Sequence, residues 1–212
     1  MAAERRAPLD FFSWHIYTES MSETQMYAKY ARDKLDAAGF KNSEIVLNEW
    51  CNFSRNGRKS VRQNNEGASY CAAMFCAMQD SSIDSAMYYD GQPQSIYCGI
   101  LSYPDVRPTK TFFAFWAFNK LYELGNCVPV KVENVQGVHA CAAVSADGKL
   151  GLLLVSNYSP REKRLNLALN GKIKSCKIID AELTLTEFNC AIDANGDLSM
   201  KDFSVALIEV EL

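Results

Sequence analysis

Glu44-Ile45-Val46-Leu47-Asn48-Glu49-Trp50 decides how the first half of this chain folds. Its β-branched, apolar centre sits between the Lys41-Asn42-Ser43 turn and a polar loop, so it reads as a short buried strand. Working backwards, Gly39 closes a helix that runs to about Ala38, with Ser22 and Gln25 spelling a capping box at its start. Tyr27, Tyr30, Ala31, Leu35 and Ala38 mark the apolar face of that helix. Before it, Leu9-Asp-Phe-Phe-Ser-Trp-His-Ile-Tyr17 is another apolar and aromatic run, bounded by Pro8 and Thr18, and reads as a strand. Working forwards, a polar loop over residues 52–64 leads to a helix from about Asn65 to Asp80, with Tyr70, Cys71, Met74, Phe75 and Met78 at helical spacing. Ser85-Ala-Met-Tyr-Tyr89 is a third short strand. A longer loop reaches Pro108, and a last helix through Phe112, Phe115, Trp116, Leu121 and Tyr122 ends near Gly125.

Strand and helix thus alternate three times, which implies parallel strands joined by right-handed crossovers. After Gly125 the pattern changes. Residues 128–134, 138–146, 150–157, 164–169, 175–180, 183–188 and 203–212 read as strands, with turns at Ala146-Asp147-Gly148 and Asn170-Gly171. Closely spaced strands without helices predict an antiparallel β-sandwich. The boundary between the two parts falls at 126/127, and the parts are expected to pack together.

Composition narrows the functional classes. Of 212 residues, 48% are hydrophobic and 22% charged, with a net charge of −3, as in ordinary folded proteins. No basic stripe points to nucleic acid. No apolar run approaches the roughly 18 residues that a membrane helix needs. The start, Met1 to Phe12, lacks an apolar signal core, so the chain as given reads as cytoplasmic, although a longer parent could be secreted. The eight cysteines form no CxxC pair and no zinc-spaced cluster with histidine, so buried thiols are expected and neither metal nor cofactor.

Glu49 is the candidate catalytic residue. It stands at the C-terminal end of a predicted parallel strand, the end at which (β/α)-barrel active sites are built. A carboxylate there can act at an anomeric carbon, and Trp50 can stack on a sugar face. Glu49 could equally cap its strand or pair with Arg55 or Arg58. His15 and Tyr17, two apart on the preceding strand, share a face and could orient that carboxylate and set its pKa, or could be satisfied, half-buried aromatics. Tyr89 closes the third strand on the same rim.

These residues resemble a known family. Residues 9–17 look like the sixth barrel strand of glycoside hydrolase family 39, the xylosidase/iduronidase-like group. Ile45 to Trp50 resembles its seventh strand, which carries the nucleophile. Ala86 to Asp90, with Cys98-Gly99-Ile100, resembles the eighth strand and its loop, and Thr109 to Tyr122 the final barrel helix. Gly151 to Ser159 resembles the small β-domain that follows. The resemblance implies α/β plus all-β architecture: a partial (β/α) TIM-barrel segment of three β/α units over 1–126, then a C-terminal antiparallel β-sandwich over 127–212.

It also implies a retaining glycosidase of xylosidase type, or the C-terminal part of one, acting on a carbohydrate substrate. Glu49 matches the nucleophile, while His15 and Tyr17 match residues lining the sugar subsite; Trp50 and Tyr89 are further candidate sugar contacts. Two carboxyl groups about 5–5.5 Å apart are required. The family's acid/base glutamate lies on a fourth strand, with no counterpart here. Asp10 is at the wrong end of its strand, Glu19 and Glu66 sit at helix starts, and Asp90 is a weak substitute on the correct rim. Three barrel strands leave open edges, so self-association or a complementing N-terminal barrel chain is expected. The alternative is a non-catalytic carbohydrate-binding or remnant interaction protein.

Other signals carry less. Asp193-Ala-Asn-Gly-Asp197 begins like a calcium loop but has Ser204 at its twelfth position, so it reads as a turn. Asn52-Phe-Ser54 and Asn157-Tyr-Ser159 spell glycosylation sites without a secretory signal, and His139 reads as structural.

Overall fold

The computed structural model describes residues 7–52, 59–187, 191–193 and 195–212, without the side chains of residues 186 and 187. The chain is mixed α/β. It opens with β1 (Phe11–Tyr17), α1 (Met21–Ala37) and β2 (Glu44–Cys51), continues through α2 (Lys59–Gln63) and α3 (Asn65–Gln79) to β3 (Ser85–Tyr88), and leaves through α4 (Lys110–Leu124). The three strands form a parallel sheet in the order β1-β2-β3. The strands that follow are β4 (Asn126–Val128), β5 (Val138–Val144), β6 (Leu150–Asn157), β7 (Lys163–Asn166), β8 (Lys172–Ile179), β9 (Thr184–Glu187), β10 (Asp197–Met200) and β11 (Ser204–Glu211). Six of them make an antiparallel sheet in the order β4-β5-β6-β11-β8-β9, and β7 and β10 pair as a separate ribbon.

Local chemistry sets the helix ends. The cap of α1 is Ser20, two residues earlier than the capping box suggests: its Oγ accepts the Glu23 N–H at 3.2 Å. Asn64 caps α3 by accepting the Glu66 and Gly67 N–H groups. Thr109 caps α4, and Gly125, with φ of 85°, ends it in the left-handed conformation that glycine adopts without a Cβ penalty.

The apolar core runs through both halves. α3 is buried from Gly67 to Met78. On one flank it meets Leu47 and Trp50 of β2; on the other it meets Cys141, Leu154, Val205 and Leu207 of the antiparallel sheet, within one continuous cluster. Two polar bonds pin the same contact. Ser156 Oγ donates to the Ser69 carbonyl at 2.7 Å, and Asn65 Nδ2 donates to the Phe203 carbonyl at 2.9 Å. The opposite face of the antiparallel sheet lies under the β7–β10 ribbon, through Leu165, Leu198 and Met200. The layers are therefore parallel sheet, helices, antiparallel sheet and ribbon.

Several sequence expectations shift. The polar loop over 52–64 contains α2. Residues 129–134, expected to continue a strand, have no strand pairing, and Pro129 lacks the N–H that a ladder would use. β10 is an unexpected strand. The buried stripe of α1 is Met21, Thr24, Ala28 and Leu35. Tyr27 and Tyr30 are 44% and 60% exposed and line an apolar groove of about 370 Å³ with Leu9, Phe12, Trp14 and Phe40. Asp193 forms a turn: its Oδ1 accepts the Asn195 and Asp197 N–H groups, and Arg164 pairs with both Asp193 and Asp197. Among the described residues no cluster has the makings of a metal site, and no helix is long and apolar enough to cross a membrane.

Candidate active site

Glu49 reaches its position through an irregularity in β2. From Phe11 to Trp14 the β1 residues pair one-for-one with Glu44 to Leu47, but the next pair is His15 with Glu49, so Asn48 is an extra residue. The β2–β3 pairing is interrupted over the same residues. A bulge of this kind reverses the alternation of side chains beyond it. Ile45 and Leu47 are buried, and beyond the bulge Trp50 joins Leu47 in the core shared with α3 while Glu49 stays part-exposed. Glu49 is thereby turned to the open face of the sheet, beside His15 and Tyr17.

The three side chains meet there. The Tyr17 hydroxyl donates to Glu49 Oε2, and His15 Nδ1 lies 3.3 Å from the same oxygen. The His15 and Glu49 side chains remain 48% and 30% exposed, so the carboxylate is tethered yet open to solvent. Burial first, and then the hydrogen bond and charge of Glu49, push the Tyr17 phenol well above its usual range, which keeps it a proton donor at all ordinary pH. Cys51, two residues on, has its thiol pushed up to about 11 by burial against the opposing pull of the Arg62 cation, which suits a thiol that stays protonated.

Aromatic rings wall the cluster. Tyr89 stands edge-on to Tyr17 with ring centroids 6.3 Å apart, and Tyr97 lies 6.5 Å from Tyr17 and 5.4 Å from Tyr89. Tyr97 belongs to the loop after β3, where sequence periodicity gives no signal; its place beside Tyr89 appears only in three dimensions.

Trp50 corrects the sequence reading. It was expected on the rim as a sugar platform, but it is 1% exposed and packs among Tyr70, Phe75, Tyr88 and Phe115. The bulge is the cause: with an extra residue at Asn48, Glu49 and Trp50 exchange faces. Asp90 accepts the Gln92 N–H at 3.2 Å within its own turn. Glu66 lies near Glu19, and burial together with the Glu19 charge raises its carboxyl above the usual range. Arg55 and Arg58, the alternative partners for Glu49, lie outside the described residues.

The loop carrying Tyr97 is fastened by α2. Lys59 Nζ donates to the Pro93 carbonyl, Arg62 Nη1 to the Ile96 carbonyl at 3.2 Å, and Gln63 Nε2 to the Cys98 and Leu101 carbonyls at 3.3 and 2.7 Å. From the other end of the loop, Thr109 Oγ1 donates to the Gly99 carbonyl at 2.5 Å.

No family model matches the chain, and no curated protein does. Solved structures do. A glucosidase from Croceicoccus marinus is similar with a TM-score of 0.75 and 17% identity, covering 100% of this chain and 55% of that one. A GH39 β-xylosidase from Caulobacter crescentus gives 0.66 and 17%, covering 100% and 53%. A family 30 subfamily 8 xylanase from Clostridium acetobutylicum gives 0.62 and 14%, covering 96% and 49%. The chain thus spans about half the length of these structures. At such identities the likeness is one of fold alone.

Proposed function

We propose that this chain carries the nucleophile side of a retaining glycosidase site of family 39 type, with Glu49 as nucleophile and a xylose-like pyranose as the sugar. The observation that carries this reading is the convergence of the Tyr17 hydroxyl and His15 Nδ1 on one oxygen of Glu49, at the C-terminal end of a central parallel strand. A carboxylate held in this way has one oxygen engaged and the other available to attack. Attack at the anomeric carbon forms an ester bond to Glu49 and breaks the bond to the leaving oxygen, which departs with the electron pair. A second carboxyl group then supplies a proton to that oxygen and later draws one from water.

In this reading the parallel sheet is a three-unit segment of a (β/α)-barrel and the second carboxyl comes from polypeptide beyond these 212 residues. Three features support it. The chain spans about half of the glycosidases it resembles in fold. One edge of β1 has no strand partner among the described residues. Beside that edge lies the groove between β1 and α1, apolar but for Lys34, which a strand–helix unit would cover. A complementing barrel segment is the proposed occupant. In the same reading the antiparallel sheet and ribbon, residues 127–212, serve as the accompanying β-sandwich.

An activated substrate tests Glu49 without needing the second carboxyl. A 2-deoxy-2-fluoro-β-xyloside of dinitrophenol leaves as the phenolate and requires no proton. Incubation with the chain, followed by peptide mass mapping, should place the fluoro-sugar on Glu49, and Glu49→Gln should abolish it. Labelling that persists unchanged in Glu49→Gln would overturn the assignment. Sugar binding by calorimetry with no labelling, alone or with an N-terminal barrel segment added, would favour a binding protein.

A further inference from the structure

Arg62 is 2% exposed, and no carboxylate pairs with it among the described residues. Burying a guanidinium is costly unless its N–H groups are satisfied. Its partners here are backbone carbonyls, a ring and the neighbouring Cys51 thiol. Nε donates to the Asn52 carbonyl at 2.9 Å, Nη1 donates to the Ile96 carbonyl, and the cation sits 5.6 Å from the centre of the Tyr97 ring. The backbone of residue 62 is equally fixed: its carbonyl accepts the Thr111 hydroxyl at 2.5 Å and lies against Gly67 and Gly99. One buried cation therefore ties the chain three residues beyond Glu49 to the loop that bears Tyr97.

We propose that Tyr97 is a substrate-contacting, specificity-determining residue of the Glu49 site, and that Arg62 is the positioning residue that holds it there. This rests on the carbohydrate-site reading above. Tyr17, Tyr89 and Tyr97 form three mutually adjacent rings, and Tyr17 is bonded to Glu49. A pyranose placed for attack by Glu49 lies against this wall, its C–H face on the rings and its hydroxyls toward solvent and the phenol oxygens. Free on its own loop, Tyr97 would adopt many orientations, and ordering it on binding would cost affinity. The Arg62 fork removes that cost in advance. Lysine has the charge but not the planar fork, so it cannot hold the Asn52 and Ile96 carbonyls and face the ring together.

The test uses the full chain and two readouts. Ring-to-ring nuclear Overhauser contacts among Tyr17, Tyr89 and Tyr97 report positioning without any ligand, while the Trp50–Phe75–Phe115 contacts report an intact core. Titration with xylotriose reports the wall. Tyr97→Ala should weaken xylotriose binding about five- to tenfold, and Tyr97→Phe should stay within about twofold. Arg62→Lys should keep the core contacts, lose the Tyr97–Tyr89 contact and weaken binding by a similar factor. The double variant Arg62→Lys/Tyr97→Ala should bind no more weakly than Tyr97→Ala alone, because both act through one ring. If Arg62→Lys keeps the Tyr97–Tyr89 contact, or the two losses multiply, Arg62 is not the positioning residue. Arg62→Met is the second variant should lysine fail to fold. Should the unmodified chain bind no xylotriose while showing all three ring contacts, the carbohydrate reading and the contact role of Tyr97 both fall.

Discussion

The Tyr17 hydroxyl donates to Glu49 Oε2, joining the ends of two adjacent parallel strands across 32 positions of sequence. The bond depends on the extra residue at Asn48, since unbroken alternation would send Glu49 into the helix layer and leave Tyr17 facing another side chain. Glu49 is consequently held from the β1 side by two groups and framed by rings from the loop after β3.

Removing the phenol oxygen should loosen the carboxylate more than the fold. Tyr17→Phe is expected to cost about 1 kcal/mol or less in urea unfolding. Labelling of Glu49 by the fluoro-xyloside should slow by about tenfold or more, because the attacking oxygen is no longer held in line. Parallel measurement of unfolding midpoint and labelling rate checks this, and equal labelling rates would deny Tyr17 an orienting role.

Trp50 should behave as core. Trp50→Ala is expected to lower stability by about 3–5 kcal/mol through loss of packing among Tyr70, Phe75, Tyr88 and Phe115. Trp50→Phe should retain xylotriose affinity within about twofold, since the indole touches no sugar. Denaturant titration and calorimetry separate the two effects; a specific loss of affinity in Trp50→Phe would restore Trp50 to the rim.

Gly67 should not accept a side chain. A Cβ there would strike the carbonyl carbon and oxygen of Arg62 and the carbonyl of Val61, all backbone. Gly67→Ala is expected to destabilise by about 1–3 kcal/mol and to disturb the Tyr97 contacts through α2. Gly148→Ala, where the added methyl meets open space but φ is 70°, provides the comparison: it should shift stability with no change at Tyr97.

Alkali should unfold the chain in a defined direction. Burial raises the phenols of Tyr17, Tyr70, Tyr88 and Tyr158. A phenol of raised pKa holds its proton more tightly in the folded than in the unfolded chain. The stability this gives is whole below about pH 10, where free tyrosine ionises, and is lost as pH climbs above it. Absorbance at the phenolate band should therefore lag behind that of free tyrosine and then rise together with loss of far-ultraviolet ellipticity. Early ionisation of all ten tyrosines with the fold intact would contradict it.

Much of this organisation is legible in the residues, and the exceptions have identifiable causes. The parallel strands and long helices announce themselves because their apolar periods are clean and their ends carry Ser, Asn, Thr and Gly. The likeness in order of elements to glycosidases reaches the solved structures only as a likeness of fold. Trp50 was misplaced because a bulge without glycine leaves no trace in composition. α1 looks single-faced because Tyr27 and Tyr30 are apolar in spelling; they border an open groove, while Thr24 reaches Met74 of α3 and Ala28 is buried. Tyr97 was invisible because its neighbours come from a loop arranged by side chains of α2, a helix of five residues hidden within a polar stretch.

A helix clad on both flanks has a consequence for how the molecule can be cut. α3 packs against Leu47 and Trp50 of the parallel sheet on one flank and broadly against the antiparallel sheet on the other, so severing the chain at 126/127 would strip each fragment of a wall rather than release two modules. Swapping the C-terminal sheet for that of another protein would require re-matching Cys141, Leu154, Val205 and Leu207 to the helix beneath them. The Glu49 rim and the distant sheet are therefore expected to unfold together.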